Sequence, residues 1–203
     1  MHRPLRHRLL RRLTAVLAVA GLALIAGCTG GTDAVDTNAN GQFRYVGATK
    51  RGTLIDAPKR KPAGDVHAQY LKGSGTGRFD LSQAKGKVVV LNYWATWCPP
   101  CVVETPALDK LYRSLKSGDV EFVGVGVKDT DSHLSAFVKD NAISYPMLSD
   151  PNAKTALQLG RIPTFSLPST VIIDRKGRVA AVYVGPVLDG DLQPVLSTLS
   201  AEK

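Results

Sequence analysis

Cysteine is scarce in this chain, with three in 203 residues at positions 28, 98 and 101. So few thiols argue against a disulfide scaffold, which spreads several pairs along a small domain. Histidine is nearly as rare: His2 and His7 sit at the extreme N-terminus, leaving His67 and His133 at no ligand-like spacing from the cysteines. A tetrahedral zinc site, which needs four ligands, is poorly served by that set. No acid occurs in residues 1–27, which carry five arginines. Without those residues the formal charge of +9 falls to +4, too small an excess for a nucleic-acid footprint. Nor does the apolar run Leu13–Ala26 reach across a bilayer, since as a helix it measures about 20 Å against a hydrocarbon core of about 30 Å.

What is there begins with an export signal. A basic stretch, a short apolar run and small residues describe a secretory leader. Its last four residues, Ile25-Ala26-Gly27-Cys28, resemble the bacterial lipobox, which makes Cys28 the expected lipid-bearing first residue of the mature protein and residues 1–27 a lipoprotein signal peptide. Residues 28–61 are expected to be a flexible tether. Their first half is polar and rich in Gly, Asn and Thr. The second half carries six basic residues against the single acid Asp56, a charge that an anionic membrane surface would attract. About 140 residues then remain, enough for one well-buried domain, 62–203.

Within it, Val88–Trp94 (VVVLNYW) and Val120–Val127 (VEFVGVGV) read as strands buried on both faces. Helical spacing of apolar residues runs from about Pro100 to Leu115. A second helix follows a cap at Thr130 or Asp131, and a third is expected from Asp150 through Gln158, stopped at Gly160. Two strands flank the tight turn Asp174–Gly177, and a helix from Asp189 to Leu199 closes the chain. Before Val88, Ala68–Leu71 and Arg78–Leu81 flank the glycine-rich KGSGTG as a hairpin. This order predicts an α/β domain with a mixed central sheet covered on both faces by helices and an N-terminal β-hairpin extension.

The stretch LNYWATWCPPCVVETP carries the chemistry. Strand-to-helix spacing places Cys98 at a helix N-terminus and Cys101 one turn later. Unpaired N–H groups and the macrodipole there stabilise negative charge, lowering a thiol's pKa and favouring the attacking thiolate. Cys98 is therefore the expected nucleophile and Cys101 the resolving thiol. Pro99 and Pro100 need no intrahelical N–H partner at that position.

WATWCPPCVVETPAL resembles the active site of the TlpA/ResA-like, membrane-tethered, thioredoxin-fold thiol-disulfide oxidoreductases. The resemblance runs from about Pro62 to the C-terminus. It implies a thioredoxin-like fold, with Pro106 kinking the active-site helix. Asn92 stands where ordinary thioredoxins carry a buried aspartate, and the pattern Cys-x-x-Cys-x-x-Glu makes Glu104 the expected tuner or shuttle of protons. The resemblance also implies a cis-proline opposite the cysteines. Pro163 and Pro168 compete for it; Pro168 leaves the following strand unbroken and is preferred, with Leu167 just before it to hold substrate backbone and Trp97 flanking the approach to Cys98.

Such a family member works outside the cytoplasm at the bacterial cell membrane with no cofactor beyond its own disulfide. The resemblance further implies reduction of protein disulfides such as the haem-attachment cysteines of apocytochrome c, with electrons from a DsbD/CcdA-like membrane protein. An oxidase of the same fold, installing disulfides, is the alternative. A peroxidase fits less well, because Leu91 and Ala95 occupy the Pro and Thr positions of the peroxiredoxin pattern. A Sco-like copper chaperone would have to use His133 as its metal ligand.

Overall fold

The computed structural model describes residues 47–115, 118–160 and 166–202. The expected signal peptide, Cys28, most of the expected tether and Pro163 lie outside them. Among the described residues no helix is long and apolar enough to cross a membrane.

Seven strands form one mixed sheet: β1 (His67–Tyr70), β2 (Arg78–Asp80), β3 (Val88–Trp94), β4 (Val120–Val127), β5 (Met147–Asp150), β6 (Ser169–Ile173) and β7 (Val179–Val184). Their order is β2-β1-β5-β4-β3-β6-β7. β3, β4 and β5 run parallel, while β6, β7 and the β1–β2 hairpin pair antiparallel. Among the described residues four α-helices cover it: α1 (Pro99–Ser114), α2 (Asp131–Asp140), α3 (Lys154–Gln158) and α4 (Asp189–Ala201). This is the thioredoxin-like architecture expected.

β3 is an interior strand between β4 and β6, and all seven of its residues are buried. Successive side chains on a strand point to opposite faces, so its apolar run feeds two cores. Val88, Val90 and Trp94 join α1, α2 and α4 through Leu108, Leu134 and Leu196. Val89, Leu91 and Tyr93 face the other way, toward Phe79, Ala156 and Leu159. Asn92 falls on the α1 side by the same alternation, a polar residue in an apolar row. Gly126 in β4 is small for a reason. A Cβ there would lie 2.4 Å from a methyl of Leu134, the residue that seats α2.

Two elements differ from the sequence expectation. β5 is a strand that the sequence hides, for it is only four residues long and its neighbours β1 and β4 are remote in sequence. Asp150 ends it; its carboxylate accepts from the Lys154 and Thr155 amides, which cap the short α3. The second difference is at the domain's N-terminal edge. Residues 49–63, mostly assigned to the tether, lie along the outer edge of β7. Thr49 N donates to Val182 O (2.7 Å), Ile55 N to Ala180 O (2.8 Å) and Ala63 N to Gly177 O (2.9 Å), while Val179 N donates to Lys61 O (2.8 Å). An uncovered edge strand leaves a row of backbone groups open to pairing with other chains, and this strap closes it.

At the far end of the strap, Arg60 is buried against Asp174 and Glu202. Asp174 also holds the turn that joins β6 to β7, accepting from the Lys176 and Arg178 amides and from the Arg178 guanidinium. Burial works to raise the Asp174 pKa, but these donors and Arg60 outweigh it and hold the carboxyl below its usual range.

Candidate redox active site

The parallel strands β3 and β4 are in register to their ends, with Trp94 opposite Gly126. The loops that follow them therefore emerge side by side at one end of the sheet. After β3 the chain turns through Ala95, Thr96 and Trp97, and Cys98 becomes the N-cap residue of α1, with prolines in the first two helical positions. Val102 N donates to Cys98 O (3.1 Å), the first hydrogen bond of that helix.

Cys98 and Cys101 are joined as a disulfide, with an S–S distance of 2.06 Å and Cα atoms 5.3 Å apart. The two sulfurs are unequally covered: Cys98 retains 4% of its surface and Cys101 none. Around them the surface is apolar. Trp97 is 57% exposed, with Pro99 and Pro100 also exposed. The Leu167–Pro168 peptide bond is cis. Pro168 is buried at the start of β6, whose Ser169 pairs with Tyr93, so it stands at the same end of the sheet as the cysteines. Leu167 before it is half-buried against both cores.

Glu104 lies three residues after Cys101, on the same face of α1. It is 3% exposed, and both its carboxyl oxygens are engaged: Oε2 accepts from Asn92 Nδ2 (2.9 Å) and Oε1 from Val187 N (2.6 Å). Asn92 Nδ2 also reaches Thr170 Oγ1 (3.2 Å) on β6. Burial raises the Glu104 pKa, and the two donated hydrogen bonds only partly oppose that rise. Asn92 Oδ1 is buried and meets no donor among the described residues. α1 also contains Pro106, which lacks the N–H that would bond to Val102 O.

The sequence left Lys128 and Asp129 unplaced relative to the cysteines. They lie in the loop after β4, against the loop that carries Cys98. Lys128 O accepts from Trp97 Nε1 (2.8 Å), and Asp129 Oδ2 accepts from both the amide (2.7 Å) and the hydroxyl (2.6 Å) of Thr96. No motif marks these residues; only strand register brings them here. His133 sits on the first turns of α2 with Nδ1 3.3 Å from Asp129 Oδ1. Among the described residues no group of three or more His, Cys, Asp or Glu side chains is placed to hold a metal.

A reversible dithiol at a strand–helix junction, beside a buried carboxyl of raised pKa, is an arrangement for moving electron pairs with their protons. Known proteins agree with it. The Redoxin family profile matches residues 57–198. The chain is 30% identical over 129 residues to the thiol-disulfide oxidoreductase ResA of Bacillus subtilis, covering 64% of this chain and 70% of that protein. It is 32% identical over 123 residues to the ResA of Bacillus thuringiensis, covering 61% and 69%. Among solved structures, a DsbF homologue from Corynebacterium diphtheriae superposes with a TM-score of 0.67 at 35% identity, covering 72% of this chain and 91% of that one. A secreted thiol-disulfide isomerase from Corynebacterium glutamicum gives 0.68 at 31% identity, covering 73% and 91%.

Proposed function

The chain belongs to the Redoxin family and is a thiol-disulfide oxidoreductase working through Cys98 and Cys101, and from that premise we propose that it reduces protein disulfides outside the cytoplasm, the haem-attachment cysteines of apocytochrome c being the leading substrate. The observation that carries the reading is Glu104 buried on the Cys101 face of α1, in a chain whose relatives include ResA. The expected lipid on Cys28 would hold the domain at the membrane surface, where a DsbD/CcdA-like protein could return electrons to it.

The steps balance as follows. The Cys98 thiolate attacks one sulfur of the substrate disulfide, forming a mixed disulfide and releasing a substrate thiolate. Cys101 then loses its proton and attacks Cys98 Sγ, releasing the second substrate thiolate. Two electrons pass to the substrate, and the protein is left with the disulfide seen in the structure. Cys101 is fully buried, so water cannot readily take its proton. Glu104, raised in pKa by its own burial, is the acceptor on the same helix face. Leu167, Pro168 and Trp97, at the end of the sheet that carries the pair, would hold the substrate backbone.

The experiment is stopped-flow reduction of an oxidised Cys-x-x-Cys-His peptide by the reduced domain, followed against pH. The wild type should reduce it, with a rate step above the ordinary carboxylate range. Glu104→Gln should lose that step and slow by roughly 10²-fold, the usual scale of a lost proton-transfer group. Superimposable profiles would make Glu104 structural; no transfer to the peptide at any pH would remove the proposed substrate.

A further inference from the structure

We propose that Asp129 is a positioning residue of the redox centre, which fixes the loop before Cys98 and places a negative charge beside it. The proposal rests on Cys98 being the attacking thiol and is independent of the direction of electron flow.

Two consecutive residues of one loop hold two consecutive residues of the other. Asp129 grips Thr96 by amide and hydroxyl, and Lys128 O grips the one polar atom of the Trp97 ring. Cys98 follows directly. The Asp129 side chain is 2% exposed, yet it has four hydrogen-bonding contacts, the other two being the Thr130 amide (2.8 Å) and the His133 imidazole (3.3 Å). A carboxylate with this many partners stays ionised: burial opposes the charge, but the Thr96, Thr130 and His133 contacts outweigh it and hold the pKa below the usual range. Lys128 adopts a left-handed φ of +52°, a conformation that a residue with a Cβ disfavours. The chain accepts that strain in the loop whose carbonyl and carboxylate hold the redox loop.

Two consequences follow. Trp97 is the most exposed aromatic wall of the site, and tying its indole nitrogen fixes the ring's orientation toward an incoming substrate. A buried negative charge held against Thr96, two residues before Cys98, also disfavours a second negative charge on the Cys98 sulfur. The helix N-terminus stabilises the thiolate and Asp129 opposes it, so the ionisation of Cys98 is set by their balance. The other charged groups near Asp129 are Lys128 beside it, His133 on α2, and Asp131, whose carboxylate accepts from Ser149 on β5.

The test is the pH dependence of Cys98 alkylation by iodoacetamide in the reduced protein. Asp129→Asn and Asp129→Ala are compared with the wild type in a His133→Gln background, which removes the imidazole, and thermal melting is recorded alongside. Asp129→Asn should move the alkylation midpoint to lower pH and raise the thiolate fraction below it by roughly threefold or more. Asp129→Ala should show the same shift but exchange more slowly with the peptide disulfide, because the loop is no longer held. A plain structural brace would lower both melting temperatures and leave the midpoint where it is, and that result overturns the proposal. Preferential alkylation of Cys101 in the wild type would instead overturn the Cys98-first reading, and the Asp129 proposal with it.

Discussion

Cys98→Ser should reduce disulfide exchange to the uncatalysed background, a loss on the order of 10³-fold or more, whereas Cys101→Ser should accumulate a stable mixed disulfide with its substrate. The asymmetry comes from where α1 begins. Cys98 is its N-cap, where free N–H groups favour a thiolate, and its sulfur sits at an apolar surface bordered by Trp97, Pro99 and Pro100. Cys101 is one turn inside and fully covered. A serine at 98 leaves a buried thiol that substrate cannot reach. At 101 it leaves a competent attacker with nothing to resolve the adduct. Non-reducing electrophoresis after incubation with the oxidised peptide separates the outcomes. An adduct on Cys98→Ser, with none on Cys101→Ser, would reverse the assignment.

Asp174→Ala should cost about 3–5 kcal/mol, the usual penalty for breaking a buried ion pair on one side. At the scale of this chain that is a fall in Tm of roughly 6–20 °C. The carboxylate joins the strap to the β6–β7 turn. It pairs with the buried Arg60 of the strap (3.2 Å), with Arg178 on the other side (2.7 Å), and with two amides of the β6–β7 turn. Its removal leaves the Arg60 guanidinium buried with Glu202 as its remaining carboxylate partner. Because folding depresses this carboxyl's pKa, its contribution is present above the unfolded value of about 3.9 and is lost as pH falls through the lower folded value. The melting curves of variant and wild type should therefore converge in acid. By contrast, deleting the exposed Lys59–Asp56 pair should leave Tm unchanged. A Tm for Asp174→Ala within 2 °C of wild type, well short of the expected fall, would show that the strap is held some other way.

The parts of this fold written in local sequence were legible there. Val88–Trp94 and Val120–Val127 are long, β-branched and buried on both faces, and they are β3 and β4 to the residue. The turn at Asp174–Gly177 and the cysteine helix follow from glycine, proline and apolar spacing. What stayed hidden depends on non-local pairing. Met147–Asp150 is too short to show a period, and becomes a strand only because Gly124–Val127 lies on one side and Gln69–Tyr70 on the other. Residues 49–61 have a linker's composition, yet they find backbone partners on β7 more than a hundred residues away. Asp129 has the same history, an ordinary loop acid until the register of β3 against β4 sets it on Thr96. Glu104 was singled out only through the family resemblance and its Cys-x-x-Cys-x-x-Glu pattern, and its contact with Asn92 joins a strand position to a helix position and needed the fold.

The most direct measurement of the central claim is the reduction potential of the Cys98–Cys101 couple, equilibrated against glutathione. A disulfide reductant requires about −230 mV or lower, toward the ~−270 mV of thioredoxin. A value near ~−120 mV would make the disulfide the reactive form, and the protein an oxidase.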